Sequence, residues 1–355
     1  EELVRRGMRD GAFGLSSGLF YTPGSFAATE EVIALARAAA ESGGVYTSHI
    51  RDEGHYSIGV EAAVREVIRI AEEAHTIGIV SHMKALGRDS WGLSAALIQE
   101  VEAARARGVQ VFADQYPYEA SSTSLRAALL PGGVAVGPRS ELMDNGRLEV
   151  SAEIQATLAR NLRLRGGPDA ILISSFKPDR TLEGKTLAQV AAARGTSPER
   201  TALELIAQSN PSIVSFNMSE ADIEAIMRQP WTMTSSDGAL LAVGAGRPHP
   251  RNDGAFARKL AVYVREKHVL GLASAIRSMT SLPATVFHLT DRGVLRPGAY
   301  ADIVVFDPAR IRDTATYTDP QQLAEGVSYV LVNGTLVREG GRFTDALPGR
   351  VLRRD

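Results

Sequence analysis

One arrangement recurs along this chain and limits what it can become: a short apolar strand, a polar loop, then an amphipathic helix. Residues 45–50 (VYTSHI) lead through the loop RDEGHYS into a periodic helix over 57–75, where Val60, Val64, Ile68 and Ala71 share one face. Residues 77–84 (IGIVSHMK) lead into SWGLSAALIQEVEAARARG, and residues 109–113 run into DQYPY. The units repeat about every 30 residues. Parallel neighbours need a helix-length crossover, so this rhythm predicts an α/β chain with a parallel sheet.

The flanks add boundaries. Residues 1–10 read as the second half of an amphipathic helix, with Leu3, Val4 and Met8 on one side, running into the strand-like GAFGLSSGL. A chain opening in mid-helix without an initiating Met reads as the remainder of something longer. Thr29 is expected to cap the next helix, with Glu30 and Glu31 in its first turn. From about 128 to 170 the rhythm weakens among PGG, GPRS and MDNG turns, which predicts an insertion, a lid or side subdomain. Regular units are expected to return with ILISSF and with helices opening at Thr186, Ser197-Pro198 and Ser219. After Pro283 short alternating strands broken by Pro-Gly and Asn-Gly turns predict a small β unit. Residues 1–288 thus form the βα region and 289–355 the tail.

Bulk properties remove several classes of function. A net charge of −2 over 355 residues leaves no basic footprint for nucleic acid or an anionic membrane. The chain has no cysteine, which excludes disulfides and thiol nucleophiles within it. No apolar run approaches the ~20 residues that span a bilayer, and the start is not a signal peptide. A soluble cytoplasmic protein is the default reading.

Two histidines occupy matching places. Thr47-Ser48-His49 and Val80-Ser81-His82 each end an expected strand, 33 residues apart. Imidazoles at the same ends of adjacent parallel strands converge on one point, an arrangement suited to a divalent metal such as zinc. A third strand end, residues 231–238 (WTMTSSDG), offers Asp237, either as a functional acid or as part of a helix cap. Beside a metal, Asp237 would be the general base. His55 is expected to be solvated, His75 and His268 to cap or face solvent, and His288 to pack. Strand alternation would point Lys84 the same way as His82. The rigid loop RPHPR places Arg251 near Asp237, with a planar fork suited to a carboxylate. DQYPY adds phenols at a further strand end.

TSHIRDE, VSHMK, ADQYPYEASSTSL, TSSDG, GRPHPR and SMTSLPATVFHLTDRGVLRPGAYADIVVFDP together resemble the N-acyl-D-amino-acid deacylases, or D-aminoacylases, of the amidohydrolase superfamily. The resemblance runs from GAFGLSSGLFYTPGS to the last hairpin. It implies a metal-dependent (β/α)8 TIM-like barrel, incomplete at the N-terminus, with the C-terminal part of a small β-sandwich. It also implies His49 and His82 as zinc ligands on the fifth and sixth strands, and Asp237 as catalytic acid/base on the eighth. Lys84, Arg251 and a tyrosine, Tyr116 in preference to Tyr118, would hold the carboxylate of an N-acyl amino acid. One tight zinc site is expected, with room for a second metal. The family's first-strand His-x-His pair and its zinc-site cysteine would precede residue 1. They would belong to a missing N-terminal segment, for instance a separate chain, or the full site is not formed.

The reaction so implied is zinc-dependent hydrolysis of N-acyl-D-amino acids. Two rivals stand beside it: a hydantoinase-like enzyme for cyclic amides, disfavoured because a ring has no free carboxylate to clamp, and a metal-free barrel without catalysis.

Overall fold

The computed structural model describes residues 1–131, 143, 144, 147, 148 and 150–354. Five parallel strands form its main sheet, in the order Gly14–Gly18, Val45–His49, Gly78–Val80, Val111–Gln115, Thr232–Thr234. All four pairings are parallel, and Gly18 faces His49, Ser48 faces Val80, Val80 faces Ala113, and Thr234 faces Gln115. The register brings the C-terminal ends of the strands together, the end at which barrel folds present their chemistry.

Each face of the sheet has its own cover. Tyr46, Val80, Val111 and Ala113 pack against the apolar stripes of helices Thr29–Ala40, Val60–Ala74 and Ser94–Ala106. By alternation Val45 and Ile79 point the other way, and with Met233 they pack on Leu282 and Val286. Thr47 and His49 share the Val45 face.

Several local expectations are revised. The strand predicted over 77–84 ends at Val80, and His82 adopts a positive φ of 37°. Thr29 lies inside its helix, and its hydroxyl donates to the Glu66 carboxylate instead of capping the backbone. No helix follows Asp237 directly; the next starts at Arg251, so residues 235–237 cap nothing. His288 is exposed, whereas His55, His75 and His268 are exposed as expected.

The strand-like ILISSF does not rejoin the parallel sheet. Ile171–Ser175 pairs antiparallel with Ser212–Phe216, which pairs antiparallel with Ala120–Ser124. This side sheet has its own core, built on Leu125, Leu158, Ile173, Leu205 and Ile213. The chain therefore leaves the main sheet after Val111–Gln115 and returns through helix Glu220–Met227. Within 128–170 the described part includes helix Ala152–Leu164, capped by the Ser151 hydroxyl; residues 132–142, 145, 146 and 149 lie outside the described residues.

The tail forms an antiparallel meander, Ile303–Phe306, Val327–Val332, Thr335–Glu339 and Arg342–Phe343. Asn333-Gly334 makes its first tight turn with φ of 50° and 80°, the left-handed pair this hairpin type demands.

One buried charge lies behind the Thr232–Thr234 strand. Lys259 donates to the Thr234 and Ser278 hydroxyls at 2.8 and 3.0 Å and meets no carboxylate among the described residues. Burial lowers its pKa to about 7. Below that pH both folded and unfolded chains hold the proton, and the burial penalty acts in full. Between about 7 and the ordinary lysine value the folded state binds fewer protons, so stability rises with pH across that window. Lys259→Met is expected to flatten this rise and to add roughly 1–4 kcal/mol near pH 6. Thermal unfolding from pH 6 to 10 checks it; an unchanged slope would show that the amine is not titrating there.

Candidate active site

A cleft of about 370 Å³ opens at the C-terminal ends of the strands, between the main sheet and the side sheet. His49, Glu53, His82, Lys84, Tyr116, Asp237 and Arg251 all line it. All six residues predicted from the sequence are thus brought together, and Glu53 joins them. A larger hollow, about 490 Å³, lies at the opposite strand ends near Gly44, Thr76 and Gln110. Its Glu72–Arg107 pair is half exposed and 3.8 Å apart, a weak solvated contact.

Glu53 reaches the cleft because of its neighbour. The buried Asp52 carboxylate accepts backbone N–H groups from Gly54, Tyr56, Ser57 and Gly59, at 2.9, 3.2, 2.5 and 3.0 Å. That loop folds around one acid and turns the next inward. Glu53 pairs with the Lys84 ammonium and lies 3.0 Å from His82 Nδ1 and 4.0 Å from His49 Nε2. Burial works to raise its pKa, but the Lys84 charge and the two imidazoles outweigh it and hold Glu53 well below the carboxylate range. It is ionised at neutral pH.

The histidines touch directly, His49 Nδ1 to His82 Nε2 at 2.9 Å. Burial pushes His49 down to about 3, and the Lys84 charge adds to this against the pull of Glu53. The imidazole is therefore neutral, the form that ligates a metal. Its Nε2 is buried without a hydrogen-bond partner. An orphaned nitrogen beside a carboxylate and a second imidazole is a donor set that fits a divalent cation. Among the described residues, His49, Glu53 and His82 form such a group, with ligand atoms within 4.8 Å of one another.

Asp114 ties two loops to this group. Its Oδ1 accepts the His82 N–H at 2.9 Å and the Ser235 hydroxyl at 2.5 Å. It links the turn carrying His82 to the turn carrying Asp237. Both of those residues hold left-handed backbone, φ of 37° and 46°, which costs of order 1 kcal/mol or more in a non-glycine residue.

Asp237 accepts from Arg251 at 2.8 Å, and its side chain is 38% exposed toward the cleft. The Arg251 side chain is buried, and its Nε and second terminal nitrogen have no partner. Its guanidinium stands 4.4 Å from the Tyr116 ring centroid, with Lys84 Nζ 5.6 Å from the same ring. Burial pushes the Tyr116 phenol up, so it stays protonated and able to donate. Tyr118 instead lies outside the cleft lining, donating to the Pro250 carbonyl at 3.4 Å. His249 sets Arg251 in place: its Nε2–H donates to the Ala120 carbonyl at 2.9 Å, leaving Nδ1 to accept the Arg251 N–H at 3.0 Å.

Residues 1–338 match the model of the amidohydrolase family. The chain belongs to that family. Among curated relatives, this amidohydrolase is 36% identical over 359 residues to an N-acyl-D-glutamate deacylase and 35% identical over 354 residues to a D-aminoacylase, both from Alcaligenes xylosoxydans xylosoxydans. These alignments take in 100% and 99% of this chain and 64% of each relative. The chain thus spans less than two thirds of their length. In each relative the remainder belongs to the same polypeptide, which gives no support to a segment supplied as a separate chain. A solved N-acyl-D-glutamate deacylase from Bordetella bronchiseptica, in complex with zinc and a phosphonate inhibitor that mimics the tetrahedral intermediate, superposes with a TM-score of 0.79 at 36% identity. That comparison covers 99% of this chain and 65% of the other. A D-hydantoinase superposes with a TM-score of 0.56 at 12% identity, which shows the fold alone. The five parallel strands are thus part of a TIM-type barrel, and the tail meander is a separate antiparallel sheet. Among the described residues, no helix is long and apolar enough to cross a membrane.

Proposed function

We propose that the protein hydrolyses the amide bond of N-acyl-D-amino acids, releasing a carboxylate and a D-amino acid. The observation carrying this reading is the convergence, in one cleft, of the His49/Glu53/His82 donor set with Asp237 and the unpartnered nitrogens of Arg251. His49, Glu53 and His82 would hold a zinc ion, as the zinc-bound Bordetella relative suggests. When bound, the metal polarises the acyl carbonyl and lowers the pKa of water.

The remaining steps fall to side chains of this chain. Arg251 takes the substrate carboxylate in two-point contact through the terminal nitrogen that Asp237 now holds and one of its two unpartnered nitrogens, and the Tyr116 phenol donates to the same group. Lys84, already paired with Glu53, adds positive charge near the Tyr116 ring. Arriving carboxylate competes with Asp237 for Arg251, which frees Asp237 to take a proton from the attacking water. Asp237 then returns that proton to the departing nitrogen. The handedness of the substrate follows the relatives, whose names specify D-amino acids.

The test is a panel on the metal-loaded protein: N-acetyl-D-amino acids, their L-enantiomers, and hydantoins, with metal content measured in parallel. Turnover of the D series alone supports the proposal. Turnover confined to hydantoins would assign the cleft to cyclic amides, and absence of both metal and turnover would assign a barrel without catalysis.

A further inference from the structure

The cleft holds a third cation that the deacylase steps do not use. Arg165 follows helix Ala152–Leu164 of the side region, is 2% exposed, and lines the same cleft as His49, Asp237 and Arg251. Its Nε donates to the Tyr56 hydroxyl at 2.6 Å, and a terminal nitrogen donates to the Ser121 hydroxyl at 3.3 Å. With the Asn217 amide turned so that its oxygen faces the guanidinium, that oxygen accepts at 3.2 Å. Every one of these partners is neutral.

The other buried cations near the cleft are matched. Lys84 has Glu53, Arg251 has Asp237, and Arg51 has Glu66 at 2.8 Å. Arg165 meets no carboxylate among the described residues. A guanidinium withdrawn from water without a counter-charge is strongly unfavourable, so the charge needs an anion to make its burial tolerable. The ionised side chains lining the cleft are Glu53 and Asp237 against Lys84, Arg165 and Arg251, an excess of one positive charge. Pair by pair, that excess resides on Arg165.

The surroundings suit a second carboxylate. Ser121, Ser122 and Thr123 line the cleft beside Arg165, and the Tyr21 and Thr123 hydroxyls lie 3.1 Å apart. Aromatic rings connect His49 with Arg165. The Phe20 ring is 5.7 Å from the His49 ring and 5.4 Å from that of Tyr56, on which Arg165 stacks at 5.7 Å. The cleft therefore presents two guanidinium groups: Arg251, with its unpartnered nitrogens, and Arg165, beside the Ser121 hydroxyl.

We propose that Arg165 receives a second carboxylate of the substrate, so that the enzyme selects dianionic N-acyl-D-amino acids. This rests on the deacylase reading. The second carboxylate can be carried by the amino-acid side chain, as in an acidic residue, or by a dicarboxylic acyl group.

The experiment compares kcat/KM on the intact, metal-loaded protein for N-acetyl-D-glutamate, its amide isostere N-acetyl-D-glutamine, N-acetyl-D-methionine and N-glutaryl-D-methionine. The glutamate substrate is expected to exceed the glutamine one by at least about tenfold if the side chain supplies the carboxylate. N-glutaryl-D-methionine is expected to exceed N-acetyl-D-methionine by a similar factor if the acyl group does. Arg165→Met should bring the preferred ratio close to one, and Arg165→Lys should keep part of it. A ratio is unaffected by any fraction of misfolded protein, so a poorly folding variant still reports. Equal rates for charged and uncharged pairs, or a ratio unmoved in Arg165→Met, overturn the inference while leaving the deacylase reading intact. Hydrolysis of none of these N-acyl-D-amino acids overturns both.

Discussion

Replacing Asp237 with asparagine is expected to abolish turnover while leaving the fold and metal binding in place. Asparagine has the same shape but cannot accept and return a proton at neutral pH. Loss of a positioned acid/base typically lowers rate by about 10²–10⁴-fold. The backbone there has φ of 46°, and asparagine tolerates this left-handed region as readily as aspartate. Its amide oxygen can still accept from Arg251, which lies 2.8 Å from the present carboxylate. Asp237 is not one of the three grouped donors, so metal affinity should persist. The measurement is kcat on N-acetyl-D-amino acids, with circular dichroism and metal analysis on the same preparation. A near-normal kcat would remove Asp237 from the chemistry and leave it as a counter-ion for Arg251.

What the sequence revealed depended on whether a residue's position followed from local periodicity. The strand–loop–helix rhythm is a local signal, and it placed His49 and the turn at His82 side by side because their strands are neighbours in register. Lys84 reached the cleft for a different reason than alternation. The strand stops at Val80, and Lys84 is drawn in by Glu53 and by His82 Nδ1, 2.7 Å away. Tyr116 and Tyr118 look alike in sequence, and only packing separates them: one lies under Arg251, the other behind His249.

Other features had no local signature. ILISSF has the same strand propensity whether it pairs in parallel or antiparallel fashion, so its place beside Ser212–Phe216 could not be read from it. Nothing local marks Glu53 or Arg165, because acids and arginines in polar stretches usually stay at the surface. One is turned inward by the hydrogen bonds around Asp52, the other is fixed by Tyr56 and Ser121 from distant parts of the chain. The motif TSHIRDE did contain a usable hint, since Glu53 follows His49 by four residues and can return to it after one turn of loop.

Glu53 therefore gives the sharpest separation of structural from ligating roles. Glu53→Gln removes the counter-charge of Lys84, whose side chain is only 5% exposed. Breaking a buried pair from one side costs about 3–5 kcal/mol, so the metal-free protein should unfold at a clearly lower temperature. If Glu53 also ligates, metal affinity should fall by at least about 10–100-fold, the range already seen when only a ligand's supporting partner is lost. The double variant Glu53→Gln, Lys84→Met replaces the uncompensated charge with an apolar side chain and should recover much of the stability. It should not recover the metal. Thermal unfolding without metal and a zinc titration on both variants read the two effects independently. A single variant that loses stability yet binds zinc as tightly as the parent would make Glu53 the partner of Lys84 alone, and would leave His49 and His82 as the only described ligands of that group.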